Sequence, residues 1–292
     1  MALSRIDGQD AVAQPDAPRC YNALVANIYF ELTREFNRDE PVALLASGQA
    51  VVFYRIAIMS KDGDWVIRES PEACDRVRAV LAARGARHRP SPPLDVRWLA
   101  GGWSSHFEFT DDRARRVRCD FFSRPPRVAL ARIQEMFGAG ASRDGLLVVD
   151  PETLVRMKQT QRAKDYPAIG EIARLLPGDI ELRYTTDPDR ILVLASSVTA
   201  AVDRPSVQAA REAAGRERVV VELAREIDSM QQRDRARVER YLAASARYLE
   251  EFRRARVDEM PLSEAHQRAC ALAERWLPTA PSGLEERHAD AQ

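Results

Sequence analysis

The chain reads as an α/β part followed by an all-helical part. Three observations carry that division. Between about residues 20 and 178, short strand-like apolar runs alternate with segments of 3.6-residue period. Helix-opening signals recur among them, in Ser70-Pro71-Glu72 and Asp150-Pro151-Glu152. Past Gly178 the strand-like runs stop and charged helical stripes take over. The expected architecture is a mixed sheet flanked by helices over 20–178, then a helical region over 179–278.

The elements follow in order. Residues 1–19 are polar with two prolines and are expected to be disordered. Residues 21–38 place Leu24, Val25, Ile28, Tyr29, Leu32 and Phe36 on one helical face. Residues 41–46 are a short buried strand that Gly48 breaks, and 49–54 read as a helical turn. Residues 65–67 are a second strand. Ser70 caps a helix that runs to Gly85, and "HRPSPP" is a loop. Residues 94–99, 105–110 and 117–123 read as strands, the last two joined by the polar turn "DDRAR". Residues 125–137 are a helix, 146–149 a short strand, and Asp150 caps a helix that "AKDYPAIGEIARLL" continues to Leu176.

In the helical part, Asp187-Pro188-Asp189 opens one helix. A long charged stretch follows Arg204-Pro205, with a break near Gly215. Val220, Leu223, Ala224, Ile227 and Met230 make one stripe, and Val238, Tyr241, Leu242, Ser245, Leu249 and Phe252 another. Such stripes at 205–257 either pack on their own core or form a homodimer or partner-docking face. Residues 263–277 are a last helix, and 279–292 are expected to be a disordered tail.

Composition narrows the function. Hydrophobic residues make up 45% and charged residues 30%, and 44 basic residues balance 44 acidic ones. A wholly basic nucleic-acid-coating surface is therefore not expected. No apolar run approaches the ~20 residues that span a bilayer, and no apolar signal-peptide core is seen, so a cytoplasmic protein with no membrane partner is expected. Cys20, Cys74, Cys119 and Cys270 form no CxxC pair and have no His neighbours at metal spacing, so reduced thiols are expected. The four histidines are scattered, which gives no zinc site or His-centred triad.

The stretch "MSKDGDWVIRES" at 59–70 admits two readings. Asp62-Gly63 between apolar runs is a strong hairpin signal, and taken alone the turn is favoured. On an extended segment, Asp62 and Asp64 instead point to one face and repel unless a cation lies between them. A β-branched residue at 63 is excluded by the turn and tolerated by the strand. Asp120 breaks into the apolar run "RVRCDFFS", where an unpartnered acid is costly to bury. A metal shared by Asp62, Asp64 and Asp120 accounts for all three acids and requires their oxygens within ~4–6 Å of one another. Upstream, Ser47-Gly48 ends the buried strand, where backbone N–H groups can approach a phosphate. Only Lys61, Lys158 and Lys164 are lysines, and Lys158 and Arg162, four apart, are expected on one helix face, facing a triphosphate or paired to Glu152 or Asp165.

These residues together resemble the DNA polymerase beta-like nucleotidyltransferase superfamily, and within it the minimal and abortive-infection toxin-type groups. The shared features are a strand, the small turn Ser47-Gly48, a short helix, Asp62-x-Asp64 on the next strand and Asp120 on a later one. "PETLVRMKQTQRAKD" resembles the toxin-type Leu and Lys on a helix followed by Arg-x-Lys-Asp, here Leu154, Lys158, Arg162, Lys164 and Asp165.

The resemblance implies a nucleotidyltransferase-like fold and transfer of a nucleotide from an NTP such as ATP to a hydroxyl of RNA (tRNA included), protein or a small molecule. It implies Mg²⁺ or Mn²⁺ held by Asp62, Asp64 and Asp120, and phosphates held by Ser47, Gly48, Lys158, Arg162 and Lys61. The toxin-type likeness also suggests a cognate antitoxin as partner. Ser47 stands where the family has Gly, Gly63 where it has an apolar residue, and Tyr54-Arg55 where it often has a His-Gly pair. These departures motivate an alternative, an inactive member serving as a nucleotide-binding or protein-interaction module.

Overall fold

The computed structural model describes residues 27–139 and 145–281. Among these residues, five strands form one mixed sheet: β1 (Ala43–Ala46), β2 (Gly63–Ile67), β3 (Arg87–His88), β4 (Ser105–Thr110) and β5 (Arg116–Phe122). The order is β1-β2-β5-β4-β3. β2 and β5 run parallel, and the other neighbours are antiparallel.

The period-two pattern of β4 and β5 divides the sheet into two faces. Phe107, Phe109, Val117, Cys119 and Phe121 are buried, while His106, Glu108, Arg118 and Asp120 between them are only half-buried. On the apolar face Trp65 stacks on Phe121 at 5.2 Å, and Phe36 meets both rings edge-on. Phe36 belongs to α1 (Ile28–Phe36), whose Thr33 hydroxyl accepts the Trp65 indole N–H at 2.9 Å. Beside α1 lies α3 (Pro71–Ala83), which buries Cys74, Val77 and Leu81 and is capped by Ser70. Between β1 and β2 runs the short helix α2 (Ser47–Phe53). The outer edge of β1 is covered by residues 147–149: Leu45 N–H donates to Leu147 O, and Val149 N–H to Leu45 O.

After β3 comes α4 (Val96–Leu99), and after β5 come α5 (Leu130–Gly138), α6 (Pro151–Lys158) and α7 (Tyr166–Ala173). The helical part comprises α8 (Gly178–Tyr184), α9 (Pro188–Ser197), α10 (Pro205–Arg211), α11 (Arg216–Arg254) and α12 (Leu262–Trp276). Gly215, at φ +87°, supplies the left-handed residue that separates α10 from α11. The 39 residues of α11 span about 58 Å. Its first turns bury Val219 and Leu223 among Leu182, Ile191, Leu194 and Val207. Its last turns bury Tyr248 and Phe252 with Trp98, Trp103 and the Ala265–Ala269 face of α12. The helical part thus closes back on the loops of the sheet. No helix among the described residues is long and apolar enough to cross a membrane.

Several sequence expectations give way. Residues 94–99 are not a strand: Asp95 accepts the Arg97 N–H and caps α4. The helix expected from 125 starts at Leu130, because Pro126 bars its predecessor from the α region and Arg127 sits at φ +66°. Residues 146–149 make a single bridge, Leu45 to Val148. Helix continuity past 158 also fails, and a 3₁₀ turn at Ala163–Asp165 precedes α7. In α11 the stripe is out of phase at two points, since Val220 and Leu242 are exposed while Val219 and Tyr248 are buried. The expected tail at 1–19, the first turns of the helix expected at 21–38, and 282–292 lie outside the described residues.

The turn reading of Asp62-Gly63 also fails, and so does the tolerance attached to the strand reading. Gly63 is the first residue of β2 and is not in the left-handed region. A Cβ there would overlap the rings of Tyr29 and Trp65. The constraint is packing rather than φ. Gly63→Ala is therefore expected to lower stability by about 1–3 kcal/mol through overpacking. Urea unfolding measures it, and an unchanged midpoint would contradict the packing account.

Candidate functional site

Strand register assembles the site. Asp64 lies opposite Ala46 of β1 on one side and Asp120 of β5 on the other, and Asp120 lies opposite His106 of β4. Residues opposed across a sheet share a face, so Asp64, Asp120 and His106 form one row on the polar side. Asp62, two residues before Asp64, falls on the same side one step along. Its Oδ1 lies 3.4 Å from Nη1 of Arg118, the residue two before Asp120.

The row is electrostatically strained. Burial, followed by the neighbouring Asp120 carboxylate, pushes Asp64 up from 3.8 to about 6. Lys158 and the Ser47 hydroxyl pull the other way, and Asp62 adds a smaller push upward. By area Asp64 is half-buried, on the polar side of the sheet. His106 Nδ1 is 2.7 Å from Asp120 Oδ1. The two atoms are close but poorly aligned, and Oδ1 is left without a hydrogen bond. No set of one oxygen from each of the three carboxylates lies within 4.8 Å. Asp64 and Asp120 are direct cross-strand neighbours, while Asp62 turns toward Arg118.

Ser47 and Gly48 begin α2 where β1 ends, beside Asp64. Ser47 holds φ +48°, a conformation uncommon for a residue with a side chain. A Cβ on Gly48 would overlap the Ser60 side chain, so this glycine permits a close approach of the 54–62 loop. Gln49 fixes that loop. Its Nε2 donates to Ser60 O at 3.0 Å, and its Oε1 accepts from Asn27 at 3.0 Å. The Tyr29 hydroxyl donates to Lys61 O at 2.6 Å, which fixes the entry to β2.

Of the expectations for the basic residues, the shared helix face fails and the pairing with Asp165 is found. α6 ends at Lys158, so Lys158 and Arg162 share no helix face. Both converge instead on buried Asp165, with Lys158 Nζ 3.3 Å from Oδ1 and Arg162 Nε 2.8 Å from Oδ2. Thr160 Oγ1 donates to the same Oδ2 at 2.6 Å. Burial raises Asp165, but these donors and charges outweigh it and hold the carboxyl below its usual range. Glu152 pairs with Arg156. Lys158 is nearly buried, and it is the basic residue whose charge reaches Asp64. Lys61 is exposed, and its ammonium group makes no ion pair among the described residues.

The sequence reading did not single out His106 or Arg118. The signal was present in "SSHFEFTDDRARRVRCDFF". Centring a hairpin on the polar turn pairs Thr110 with Arg116 and, counting outward, His106 with Asp120.

No protein-family model and no curated protein matches the chain. Among solved structures, JHP933 from Helicobacter pylori is similar with a TM-score of 0.39 and 10% identity, over 75% of this chain and 95% of that one. A candidate nucleotidyltransferase from H. pylori is similar with a TM-score of 0.38 and 11% identity, over 74% and 97% of the two chains.

Because folding raises Asp64, the native state holds its proton more tightly than the unfolded chain does. That contribution to stability is present below pH 3.8 and is lost as pH rises through about 6. Asp64→Asn should abolish this fall. In EDTA at pH 7.5 the variant should be more stable than the wild type by on the order of 2 kcal/mol. Thermal melts at pH 5 and 7.5 test this, and a large loss of stability in the variant would mark Asp64 as a structural residue.

Proposed function

We propose that the protein is a metal-dependent nucleotidyltransferase. The observation that carries the reading is the direct pairing of Asp64 with Asp120 on parallel strands, on a polar sheet face and beside the Ser47-Gly48 turn. A half-buried like-charge pair of this kind is relieved by a divalent cation. The donor set fits Mg²⁺ or Mn²⁺: it is all oxygen, and Asp120 Oδ1 has no hydrogen bond to give up. Asp64 and Asp120 would hold the ion. Asp62, held by one 3.4 Å contact and 41% exposed, would join by side-chain rotation. When bound, the ion neutralises charge on the phosphates and favours ionisation of the attacking hydroxyl.

The chain's own groups supply the rest. The Ser47 hydroxyl and Gly48 backbone face the β- and γ-phosphates. Lys158 adds counter-charge beside Asp64, and Arg162 and Lys61 add it further out. The acceptor hydroxyl attacks the α-phosphorus, a new O–P bond forms, and the bond to the departing pyrophosphate breaks. The proton passes to the Asp120 carboxylate, whose Oδ1 lies 2.7 Å from His106 Nδ1. The acceptor would lie against the helical part and is RNA, protein or a small molecule. A toxin-type role with a cognate antitoxin rests on the segment from Leu154 to Asp165.

One observation favours a second reading. Asp165 already engages both Lys158 and Arg162, which draws part of their charge away from a triphosphate. An inactive nucleotide-binding module would show Mg²⁺-dependent NTP binding without transfer.

Purified protein is incubated with each α-labelled NTP, Mg²⁺ or Mn²⁺, and RNA, protein or small-molecule fractions. Label transfer is expected, and Asp64→Asn or Asp120→Asn should cut it by roughly 10²–10⁴-fold. No transfer together with no metal-dependent nucleotide binding would sink both readings.

A further inference from the structure

Spacing in the sequence assigned the cysteines and histidines to no metal site, yet the fold gathers one ligand set from them. Asp95, His266 and Cys270 each offer a donor atom, and these atoms lie within 4.8 Å of one another. His266 and Cys270 are four apart on α12 and so share one helical face. Asp95 reaches them from the N-cap of α4, in the sheet part of the chain. The cluster lies away from the acidic row.

Three details favour a ligand over chance proximity. Cys270 Sγ is 3.5 Å from His266 Nε2. Zinc bonds of ~2.3 Å to sulfur and ~2.0 Å to nitrogen at a tetrahedral angle place those two ligands ~3.5 Å apart. His266 is 8% exposed, yet its ring makes no strong hydrogen bond: Nε2 meets only the thiol, and Nδ1 has no partner. Asp95 is already oriented, because Arg97 donates its backbone N–H and Nε to Oδ1 and its Nη2 to Oδ2. A carboxylate has about four lone-pair sites, so one remains for a metal, and the guanidinium acts as the supporting partner that fixes a ligating side chain.

The geometry points to a zinc-type site at Asp95, His266 and Cys270 that staples α12 to the loop leading into α4. The mixed sulfur, nitrogen and oxygen set selects a borderline-soft divalent ion over Mg²⁺. On binding, the Cys270 thiol gives its proton to solvent and the thiolate sulfur bonds the metal, while the imidazole binds in its neutral form.

Cobalt(II) is a direct probe, because a thiolate–cobalt bond gives a near-ultraviolet charge-transfer band that a carboxylate site lacks. Full-length protein is titrated with Co²⁺ in millimolar Mg²⁺, which occupies oxygen-only sites. One equivalent should develop the band, and Zn²⁺ should bleach it. Cys270→Ser should abolish the band, and His266→Gln should weaken it. Each should raise the zinc Kd by at least the ~10–100-fold that loss of a mere supporting residue costs. Circular dichroism checks that the variants fold. On the wild type alone, Zn²⁺ but not Mg²⁺ should raise Tm, a reading independent of any variant. A wild type with no band and no zinc-specific rise in Tm overturns the site, as does a band that survives Cys270→Ser.

Discussion

Two carboxylates set side by side on parallel strands cannot both be charged without help, and much of this structure is arranged around that fact. The backbone leaves no alternative: β2 and β5 pair so that Asp64 faces Asp120, and the other side of each strand is committed to aromatic packing. Turning either acid over would send Trp65 or Phe121 into solvent. The apolar face therefore forces the acids together on the opposite one. Within the protein, the compensation comes from Lys158, whose ammonium group is buried nearby.

Lys158 is itself held through several further links. Asp165 and Thr160 fix its surroundings, and the segment that carries them is tied to the long helix α11. Asp234, fully buried in the middle of that helix, accepts the Gln161 backbone N–H at 2.9 Å and lies 3.4 Å from Arg127. Arg127 in turn donates to Arg156 O, two residues before Lys158. The helical part thus belongs to the electrostatic support of the sheet site.

Much of this was legible in the sequence. Alternation in 105–110 and 117–123 separates the two faces, and Ser70, Asp150 and Asp187 mark helix starts because their side chains can cap only there. Asp62 and Asp64 stood out as a spaced pair at the start of an apolar run, and Asp120 as a charge inside one. Local patterns failed where tertiary contacts decide. Asp-Gly resembles a turn in any context, and only the rings of Tyr29 and Trp65 explain why a glycine begins a strand. Spacing of four between Lys158 and Arg162 implies a shared face only if the helix continues, and it ends at Lys158. His266 and Cys270 are four apart and visible as a pair, but Asp95 lies more than 170 residues earlier, so only the fold completes the cluster.

Gly63 also constrains how this chain can change. A side chain at 63 collides with two rings from different elements, and one of them, Trp65, is stacked into the centre of the sheet. The positions 29, 63 and 65 are therefore coupled, and their substitutions are not interchangeable in order. Trimming Tyr29 first relieves one of the two collisions and leaves only the Trp65 ring to shift, although it removes the hydroxyl that holds the Lys61 carbonyl. The reverse order passes through an intermediate in which both rings are displaced. A lineage of this fold that carries a larger residue between its two acids would have reached it by way of the neighbouring helix.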